Sequence, residues 1–262
     1  MKLKGVGKLV DMHSHILWGV DDGPTNLEET LQLLEYAVKE GITEIISTSH
    51  SNHPYYDVNY KIIKNKINLL QQMLSEHRIP ITIHTGHEVR LSESIISHYQ
   101  SNEIHTLANS QYLLLELPPT TVPLYTINII RDLLKEGITP IIAHPERNKA
   151  IAEQPSKLEN LIYSGALAQI TAGSLIGHFG KEIQKLSLNL VRANLVHVYG
   201  SDVHNASSRP FHFEKGLLFL EKKKQLEAVD ILLENNKRII ENRLVIIYEP
   251  QKVESTKWWK IY

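Results

Sequence analysis

Two histidines separated by one residue near the start of the chain are the first group that could do chemistry. His13 and His15 stand in Asp11-Met12-His13-Ser14-His15, directly after the strand-like run Lys8-Leu9-Val10. Residues two apart in an extended chain point to the same side, so both imidazoles can reach one point. Asp22 follows closely and adds an oxygen ligand. The spacing indicates a divalent metal site, although two ordinary polar residues at a strand end fit it about equally well.

Five later segments deliver further residues of the types that bind metals. Each follows a strand-like run, and the carboxyl ends of parallel strands meet at one face of an α/β barrel. Any single position has an ordinary structural explanation, but six strands that each deliver such a residue are hard to explain in that way. The candidate metal ligands are His13, His15, Asp22, His50, Glu88, Glu116, His144, Asp202 and His204.

This candidate set is too large for one ion. Five imidazoles and four carboxylates exceed four or six coordination positions, so a cluster of two or three ions that share carboxylates would use them all. Imidazole and carboxylate ligands without thiolate fit Mn, Fe or Zn. Three divalent ions would leave the pocket positively charged and favour an anion. A phosphate ester fits best, because divalent ions can hold its oxygens while a hydroxide formed near neutral pH attacks in line.

Two arginines near the candidate ligands suit a phosphate. Arg147 ends the segment Ala143-His144-Pro145-Glu146-Arg147, and Arg209 follows the segment that contains Asp202. A guanidinium offers forked donors to phosphate oxygens. The alternative is a pair of solvated surface arginines. We take Arg147, Arg209 and Asp22 as the candidate catalytic residues.

The composition disfavours several classes of function. With 28 Lys and Arg against 29 Asp and Glu, the formal net charge of -1 offers no general attraction to nucleic acid or anionic lipid. The absence of cysteine excludes disulfides, thiolate metal sites and cysteine nucleophiles. Because no run has the length of a membrane span or of the apolar part of a signal peptide, we expect a cytoplasmic protein without an integral membrane segment.

Strand-like and helix-like segments alternate along the 262 residues, which predicts a parallel sheet and, with no break in composition, one closed α/β barrel. Asn26 with Glu29 indicates a helix start. The junction Lys39-Glu40-Gly41-Ile42-Thr43 recurs as Lys135-Glu136-Gly137-Ile138-Thr139 and supports repeated α/β units. The seven predicted strands lie near 8–10, 42–48, 81–85, 112–115, 141–142, 167–171 and 195–199. The predicted helices lie near 27–38, 58–77, 122–135, 157–163 and 181–193, with two or three more after residue 210, including 226–233.

The motifs, taken in order, resemble those of the PHP (polymerase and histidinol phosphatase) superfamily. The closest similarity is to the manganese-dependent protein-tyrosine phosphatases of capsule and exopolysaccharide loci in Gram-positive bacteria. It covers residues 9 to 250, so we expect one phosphatase domain at 1–250 and a tail at 251–262. The motifs are D-x-H-x-H at 11–15, D-D-G-P at 21–24, T-S-H at 48–50, G-x-E at 86–88, L-x-E at 114–116, A-H-P-E-R at 143–147 and S-D-x-H-N at 201–205.

This resemblance implies a fold and a distribution of ligands. The fold would be a distorted seven-stranded (β/α) barrel with two or three Mn²⁺ ions at the C-terminal end of the strands. Arg147 and Arg209 would contact the phosphoryl group. The first ion would be held by His13, His15, Glu88 and Asp202, the second by Glu88, Glu116 and His144, and the third by Asp22, His50 and His204.

The resemblance also implies hydrolysis of a phosphotyrosine protein, an autophosphorylated bacterial tyrosine kinase that governs polysaccharide export. Without cysteine, any phosphatase activity has to use metal-activated water. The alternative enzyme is a histidinol-phosphate phosphatase or another small-molecule phosphomonoesterase with the same metals. A nuclease is disfavoured because the chain has no basic stripe with interleaved aromatics. A non-catalytic binding module is disfavoured by the complete ligand set.

Three further features have weaker claims. His53 lies in a loop after a ligand strand and is a candidate for substrate binding, with a solvated loop histidine as the alternative. His87 should point away from the metals because side chains alternate along a strand. The ending Lys257 to Tyr262 mixes aromatic and cationic residues, and a frayed terminus is favoured over docking on a partner or membrane surface.

Overall fold

Seven parallel strands in chain order form the centre of the molecule. The computed structural model describes residues 8–253. Each strand pairs with the next one along the chain, from β1 to β7. This arrangement confirms the predicted α/β fold and the seven-stranded, nearly closed barrel. The strands are β1 (Val10–Ser14), β2 (Glu44–Ser51), β3 (Thr82–Arg90), β4 (Tyr112–Glu116), β5 (Thr139–Ile142), β6 (Leu167–Thr171) and β7 (Val198–Gly200).

The described residues also form ten α-helices, several of which cover the sheet with an apolar face. In the first helix, Leu33, Leu34 and Ala37 recur at helical spacing and are buried. The helices are α1 (Leu27–Lys39), α2 (Tyr60–Glu76), α3 (Ile95–Gln100), α4 (Thr126–Lys135), α5 (Lys149–Glu153), α6 (Ser156–Tyr163), α7 (Ala172–Leu175), α8 (Lys181–Arg192), α9 (Phe213–Lys222) and α10 (Leu226–Ile240).

The start of α1 and the repeated junction have the predicted local structure. Asn26 Oδ1 accepts from the Glu29 amide at 3.0 Å and caps the helix. The Glu29 carboxylate in turn accepts from Asn26 Nδ2 at 3.0 Å and from the Thr25 amide at 2.8 Å, one residue before the cap. The two copies of the junction each end a helix and lead into a strand. Their glycines, Gly41 and Gly137, have φ angles of +84° and +77°, a conformation that favours glycine.

Side chains help to close the barrel between β1 and β7. Ser14 and Val203 form an isolated parallel bridge across this seam. Asn236 of α10 donates to the carbonyl oxygens of Val10 at 2.8 Å and Tyr199 at 2.6 Å, and its oxygen accepts from the Tyr199 amide at 3.0 Å. The His15 amide also donates to Val203 O at 2.9 Å and the Asp202 amide to His13 O at 2.8 Å, so the Asn236 side chain extends a short backbone pairing.

Several element boundaries differ from the predicted ones. The ladder between β2 and β3 continues far enough to pair His50 with Glu88, so both lie inside their strands and not past the ends. Helix α2 begins at Tyr60 because Asn59 Oδ1 caps the Lys61 amide at 2.9 Å. Helix α4 begins at Thr126 and not at 122, and β7 is shorter than predicted. The short helices α3, α5 and α7 were not predicted, because so few residues show no helical period.

The chain after α10 runs along the outside of the barrel as far as it is described. The Gln251 amide donates to Ala193 O at 2.8 Å, and Asn194 Nδ2 donates to Glu249 O at 3.1 Å. The division into a domain at 1–250 and a tail stays a prediction, and the ending Lys257 to Tyr262 lies outside the described residues. Among residues 8–253, no helix combines the length and the apolar character that crossing a membrane requires.

Candidate metal centre

A cavity of about 320 Å³ opens at the carboxyl ends of the strands. All nine predicted ligands gather at or below it, in groups whose donor atoms lie within 4.8 Å of one another. The groups share members and therefore form one cluster, while the division of ligands among separate ions stays a prediction. The groups are His15, Asp22, His50 and His204; His13, His15 and Glu88; His13, His144 and Asp202; and His50, Glu88 and Glu116.

Partners behind His13 and His15 set the orientation of both rings. His13 Nδ1 lies 3.1 Å from Gln169 Oε1, and the Gln169 amide nitrogen donates to Ile170 O at 2.8 Å. Gln169 Oε1 is thus the acceptor and His13 Nδ1 carries the proton. His15 Nδ1 lies 3.2 Å from Asp21 Oδ2 and donates to that carboxylate. Both Nε2 atoms therefore present lone pairs to the cluster, which is the orientation a metal ligand needs.

Four lone-pair atoms converge at the base of the cavity. His13 Nε2 and His15 Nε2 are 3.3 Å apart. Glu88 Oε2 lies 3.5 and 3.3 Å from these two nitrogens, and Asp202 Oδ1 lies 3.4 and 3.5 Å from them. Burial alone lowers the pKa of His15, but hydrogen bonds and charge from Asp21 and Glu88 outweigh it and raise that pKa well above its usual range. The cluster therefore attracts positive charge.

A second convergence surrounds Asp22. Its Oδ1 lies 3.4 Å from His50 Nε2 and 3.2 Å from His204 Nε2. His204 Nδ1 is 3.0 Å from Asp202 O and donates to it, so His204 Nε2 carries a lone pair. His50 Nδ1 and His204 Nε2 are buried without a hydrogen-bond partner among the described residues. Such orphaned nitrogens beside a carboxylate fit a cation.

The two carboxylate oxygens of Glu88 face different histidines of the cluster. Its Oε1 lies 2.7 Å from His144 Nε2, and its Oε2 lies 3.2 Å from His50 Nδ1. Burial raises the pKa of Glu88, but the charges of His13 and His50 outweigh it and hold the pKa well below its usual range. The ionised carboxylate thus presents one oxygen to each side of the cluster.

Asp202 links the cluster to both predicted arginines. Its Oδ1 faces the histidines, while its Oδ2 accepts from Arg147 Nη2 at 2.5 Å and from Arg209 Nη2 at 2.7 Å. The Arg147 guanidinium lies 5.1 Å from the centre of the Phe179 ring. Both arginines line the cavity. They are positioned to meet an anion there, and their contact with a phosphoryl group stays a prediction.

Arg90 was missed by the sequence reasoning. Its Nη2 lies 2.9 Å from Glu116 Oε2, its Nη1 donates to Leu117 O at 3.1 Å, and it lines the cavity. Burial and then the charge of Glu88 raise the pKa of Glu116 to about 8, and the Arg90 guanidinium opposes this shift. The signal was in the strand pattern, since Arg90 stands two residues after Glu88 and points to the same side.

The two remaining candidate histidines, His53 and His87, lie in different surroundings. His53 lines the cavity and its ring lies against that of His50, with centroids 4.6 Å apart. Burial, followed by the charge of His50, lowers the pKa of His53 to about 4, so it is neutral at pH 7. His87 points away from the cluster as expected, and its ring nitrogens lie 2.9 Å from Val58 O and 3.0 Å from the His105 amide.

The donor set fits divalent ions. Atoms that carry lone pairs face one another at hydrogen-bond distances, and Gln169 and Asp21 orient the rings of His13 and His15 from behind. The Glu88 carboxylate stands between His144 and His50. The mixture of imidazole and carboxylate without thiolate is the type that Mn, Fe and Zn accept. Two guanidinium groups at the mouth add the features of an anion-binding cavity.

Comparison with known proteins gives consistent results. CapC of Staphylococcus aureus is 38% identical over 252 residues, which cover 96% of this chain and 99% of that protein. Tyrosine-protein phosphatase YwqE of Bacillus subtilis is 36% identical over 249 residues, which cover 95% of this chain and 98% of the relative.

A solved structure agrees with these relatives. It comes from work on YwqE of Bacillus subtilis and CpsB of Streptococcus pneumoniae, described as unique metal-dependent tyrosine phosphatases. It superposes with a TM-score of 0.92 at 36% identity and covers 94% of this chain and 100% of its own. A family profile described as "Capsular polysaccharide synthesis, CpsB/CapC" matches residues 9–241. The chain belongs to the CpsB/CapC family.

Proposed function

We propose that this chain is a metal-dependent tyrosine-protein phosphatase that uses two or three Mn²⁺ ions. The observation that carries the proposal is Asp202, whose carboxylate faces the lone pairs of two histidines with one oxygen and holds two arginines with the other. Cation ligands and anion donors thus meet at one cavity. The names of the relatives and of the solved structure support the activity.

Metal ions bound here would supply Lewis-acid charge and lower the pKa of the water that attacks phosphorus. Arg147 and Arg209 bind the phosphoryl oxygens and neutralise the charge that develops on them. Asp202 keeps both guanidinium groups at the cavity, so little order has to be gained when the substrate enters. Gln169 and Asp21 hold the rings of His13 and His15 with Nε2 turned inward.

A tyrosyl ester needs little help from a general acid. A tyrosyl ester departs as a phenolate with a pKa near 10, far below that of a serine alkoxide, so protonation contributes little. An aryl ester therefore suits attack by metal-activated water better than histidinol phosphate, whose leaving group is an alkoxide.

The physiological substrate we propose is an autophosphorylated bacterial tyrosine kinase that governs capsule or exopolysaccharide export, acted on in the cytoplasm, where ATP-dependent phosphorylation takes place. The family description, capsular polysaccharide synthesis, supports this assignment. The donor set fits Mn, Fe or Zn, and we choose manganese because the sequence motifs resemble those of manganese-dependent phosphatases.

The test is hydrolysis by purified protein after metal removal and reconstitution. We expect a chelator to abolish turnover of a phosphotyrosine peptide and Mn²⁺ to restore it more fully than Zn²⁺ or Fe²⁺. Metal analysis should give two or three ions per chain. A phosphotyrosine peptide should be a better substrate than histidinol phosphate. Full activity in excess chelator, or preference for histidinol phosphate, would contradict the proposal.

A further inference from the structure

The loop between β2 and α2 carries three aromatic rings and places one of them, that of His53, at the cavity. We call residues 52–57 the aromatic loop. It carries His53, Tyr55 and Tyr56 directly after the ligand strand that contains His50. Of these, His53 lines the cavity, and Tyr55 is 84% exposed beside it in the chain. The metal centre makes no use of these rings, so their chemistry is unassigned.

The rings of His50, His53 and Tyr56 lie nearly parallel to one another. The planes of His50 and His53 are 21° apart, those of His53 and Tyr56 are 19° apart, and those of His50 and Tyr56 are 11° apart. The three centroid separations are 4.6, 5.7 and 5.9 Å. A ring enclosed between two others would hold them at about twice the stacking distance. His53 is therefore not enclosed, and it stays available to the cavity.

Hydrogen bonds fix the aromatic loop. The Asn52 amide and Ser51 Oγ donate to Asp57 Oδ1 at 2.9 and 3.2 Å. Asn52 Nδ2 donates to Arg90 O at 3.0 Å, and the His53 amide donates to Tyr56 O at 3.1 Å. The loop is thus tied to β3 and closed on itself. Its rings are held in place before any ligand arrives.

The rest of the cavity wall offers little carbon surface. Most of its lining residues are carboxylates, imidazoles of the ligand set, or guanidinium groups. Leu117, Pro119 and Ala143 are its apolar members. His53 is the aromatic ring in that lining outside the ligand set. When the arginines hold the phosphoryl group of a substrate, His53 is therefore the aromatic ring available to contact the group bound to its ester oxygen.

We propose that His53, supported by Tyr56, is the surface on which the aryl ring of the ester stacks, and that it makes the cavity select aryl phosphates over alkyl phosphates. This inference rests on the proposed phosphatase function and deepens it. Aromatic pairs favour offset stacking, and their contribution corresponds to roughly a 2- to 12-fold gain in affinity.

The test compares two phosphonates that differ in the ring. Phenylphosphonate and methylphosphonate carry the same anionic head and are not hydrolysed. Their dissociation constants are measured by calorimetry on Mn²⁺-loaded wild type, His53→Ala and His53→Phe, with metal content determined for each. We expect His53→Ala to weaken phenylphosphonate roughly 2- to 12-fold with little change for methylphosphonate. His53→Phe should restore the difference, because it restores the ring.

Two controls separate this effect from other causes. Tyr163→Ala removes an exposed tyrosine on α6 and should change neither constant. Tyr56→Ala should weaken phenylphosphonate less than His53→Ala, because the Tyr56 ring packs near that of His53 but does not line the cavity. Equal weakening of both phosphonates by His53→Ala would overturn the inference, since His53 would then act through the metal ligands. Unchanged binding of both would overturn it as well.

The proposed function can fail independently. Suppose that wild type hydrolyses phenyl phosphate but binds phenylphosphonate no better than the His53→Ala variant does. The proposed stacking on His53 is then wrong, while the proposed phosphatase activity is supported. If Mn²⁺-loaded wild type hydrolyses no phosphomonoester and binds neither phosphonate, the phosphatase is wrong and the inference falls with it.

Discussion

Two neighbouring layers of buried polar side chains lie between the strands, and they are paired in opposite ways. In the closure layer donors meet acceptors, as where Ser201 Oγ donates to Asp11 Oδ2 at 2.5 Å. In the ligand layer acceptors face acceptors, as where His13 Nε2 and His15 Nε2 stand 3.3 Å apart. We define the closure layer as Asp11, Gln169, Tyr199, Ser201 and Asn236, and the ligand layer as His13, His15, His50, Glu88 and Asp202.

The difference shows what each layer contributes. A buried polar network whose members are all satisfied holds the strands in one arrangement, and breaking it leaves buried groups unpaired. A buried cluster of acceptors needs positive charge among its lone pairs, which a bound cation supplies or, without one, a proton of the kind that the raised pKa of His15 favours. Substitutions in the closure layer should therefore affect folding first, and substitutions in the ligand layer should affect metal binding and activity first.

The largest effect is expected in the ligand layer. Glu88→Gln removes the shared carboxylate and should lower kcat/KM on a phosphotyrosine peptide by about 10³-fold or more, since metal-held water and oriented phosphate are lost together. Metal analysis should show fewer bound ions. The protein should still unfold cooperatively in urea.

A matched control is Glu93→Gln, which changes an exposed glutamate just beyond β3. It should leave both metal content and kcat/KM unchanged. A Glu88→Gln protein that keeps its metal and its activity would remove Glu88 from the ligand set. One that fails to fold would contradict the separation of the two layers.

The next effect belongs to the closure layer. Asn236→Ala leaves two carbonyl oxygens and one amide at the seam without partners, and it should lower the free energy of unfolding by about 3 kcal/mol. Urea unfolding measures this loss. The exposed Asn160 on α6 gives the control, and Asn160→Ala should change stability by less than about 0.5 kcal/mol. If Asn236→Ala lost bound Mn²⁺ but kept its stability, Asn236 would belong with the metal ligands and not with the residues that close the barrel.

The sequence predicts the ligand layer better than the closure layer, because only the ligand residues form a local pattern. The ligand layer was predicted because histidines and carboxylates after apolar runs are unusual, and because strand alternation aims His13 and His15 together. The closure layer leaves no such pattern. Gln169 meets His13 across 156 residues and Asn236 meets Val10 across 226, and no local spacing encodes either contact.

The same reason explains the errors at the borders of elements. His50 and Glu88 were expected past the ends of their strands, but the ladder between β2 and β3 extends to include them. Pairing with a neighbouring strand decides where a strand ends, and the local sequence does not contain that information. Arg90 differs, because strand alternation from Glu88 does place it on the side of the site, and only its pairing with Glu116 on the adjacent strand is hidden from the local sequence.

A smaller effect is expected where the ligand layer meets the solvent. Arg209→Ala should lower kcat/KM by roughly 10- to 100-fold, because one charge-assisted contact to the phosphoryl group is lost. Metal content should stay as in wild type, since Arg209 touches Asp202 from the side away from the histidines. Arg192→Ala, on the exposed face of α8, is the control. Unchanged kinetics in Arg209→Ala would remove this residue from the site.

The smallest effect expected is a dependence of stability on pH, and it concerns a buried histidine on the side of the barrel away from the ligand layer. His197 accepts from the Ala168 amide at 3.1 Å, and burial lowers its pKa to about 4 from an ordinary value of 6.5. Between these two values the unfolded chain binds the proton more readily, so stability falls as the pH drops through this window. At pH 5 the loss should be about 2 kcal/mol relative to pH 7.

His197→Asn isolates that loss, because the amide oxygen can still accept from Ala168 but does not titrate. Urea unfolding of both proteins at pH 7 and pH 5, in chelator, should show the wild type losing about 2 kcal/mol more than the variant. The ligand histidines are common to both proteins and cancel in the difference. Parallel losses in the two proteins would mean that His197 gains its proton without cost and that this side of the barrel is open to water.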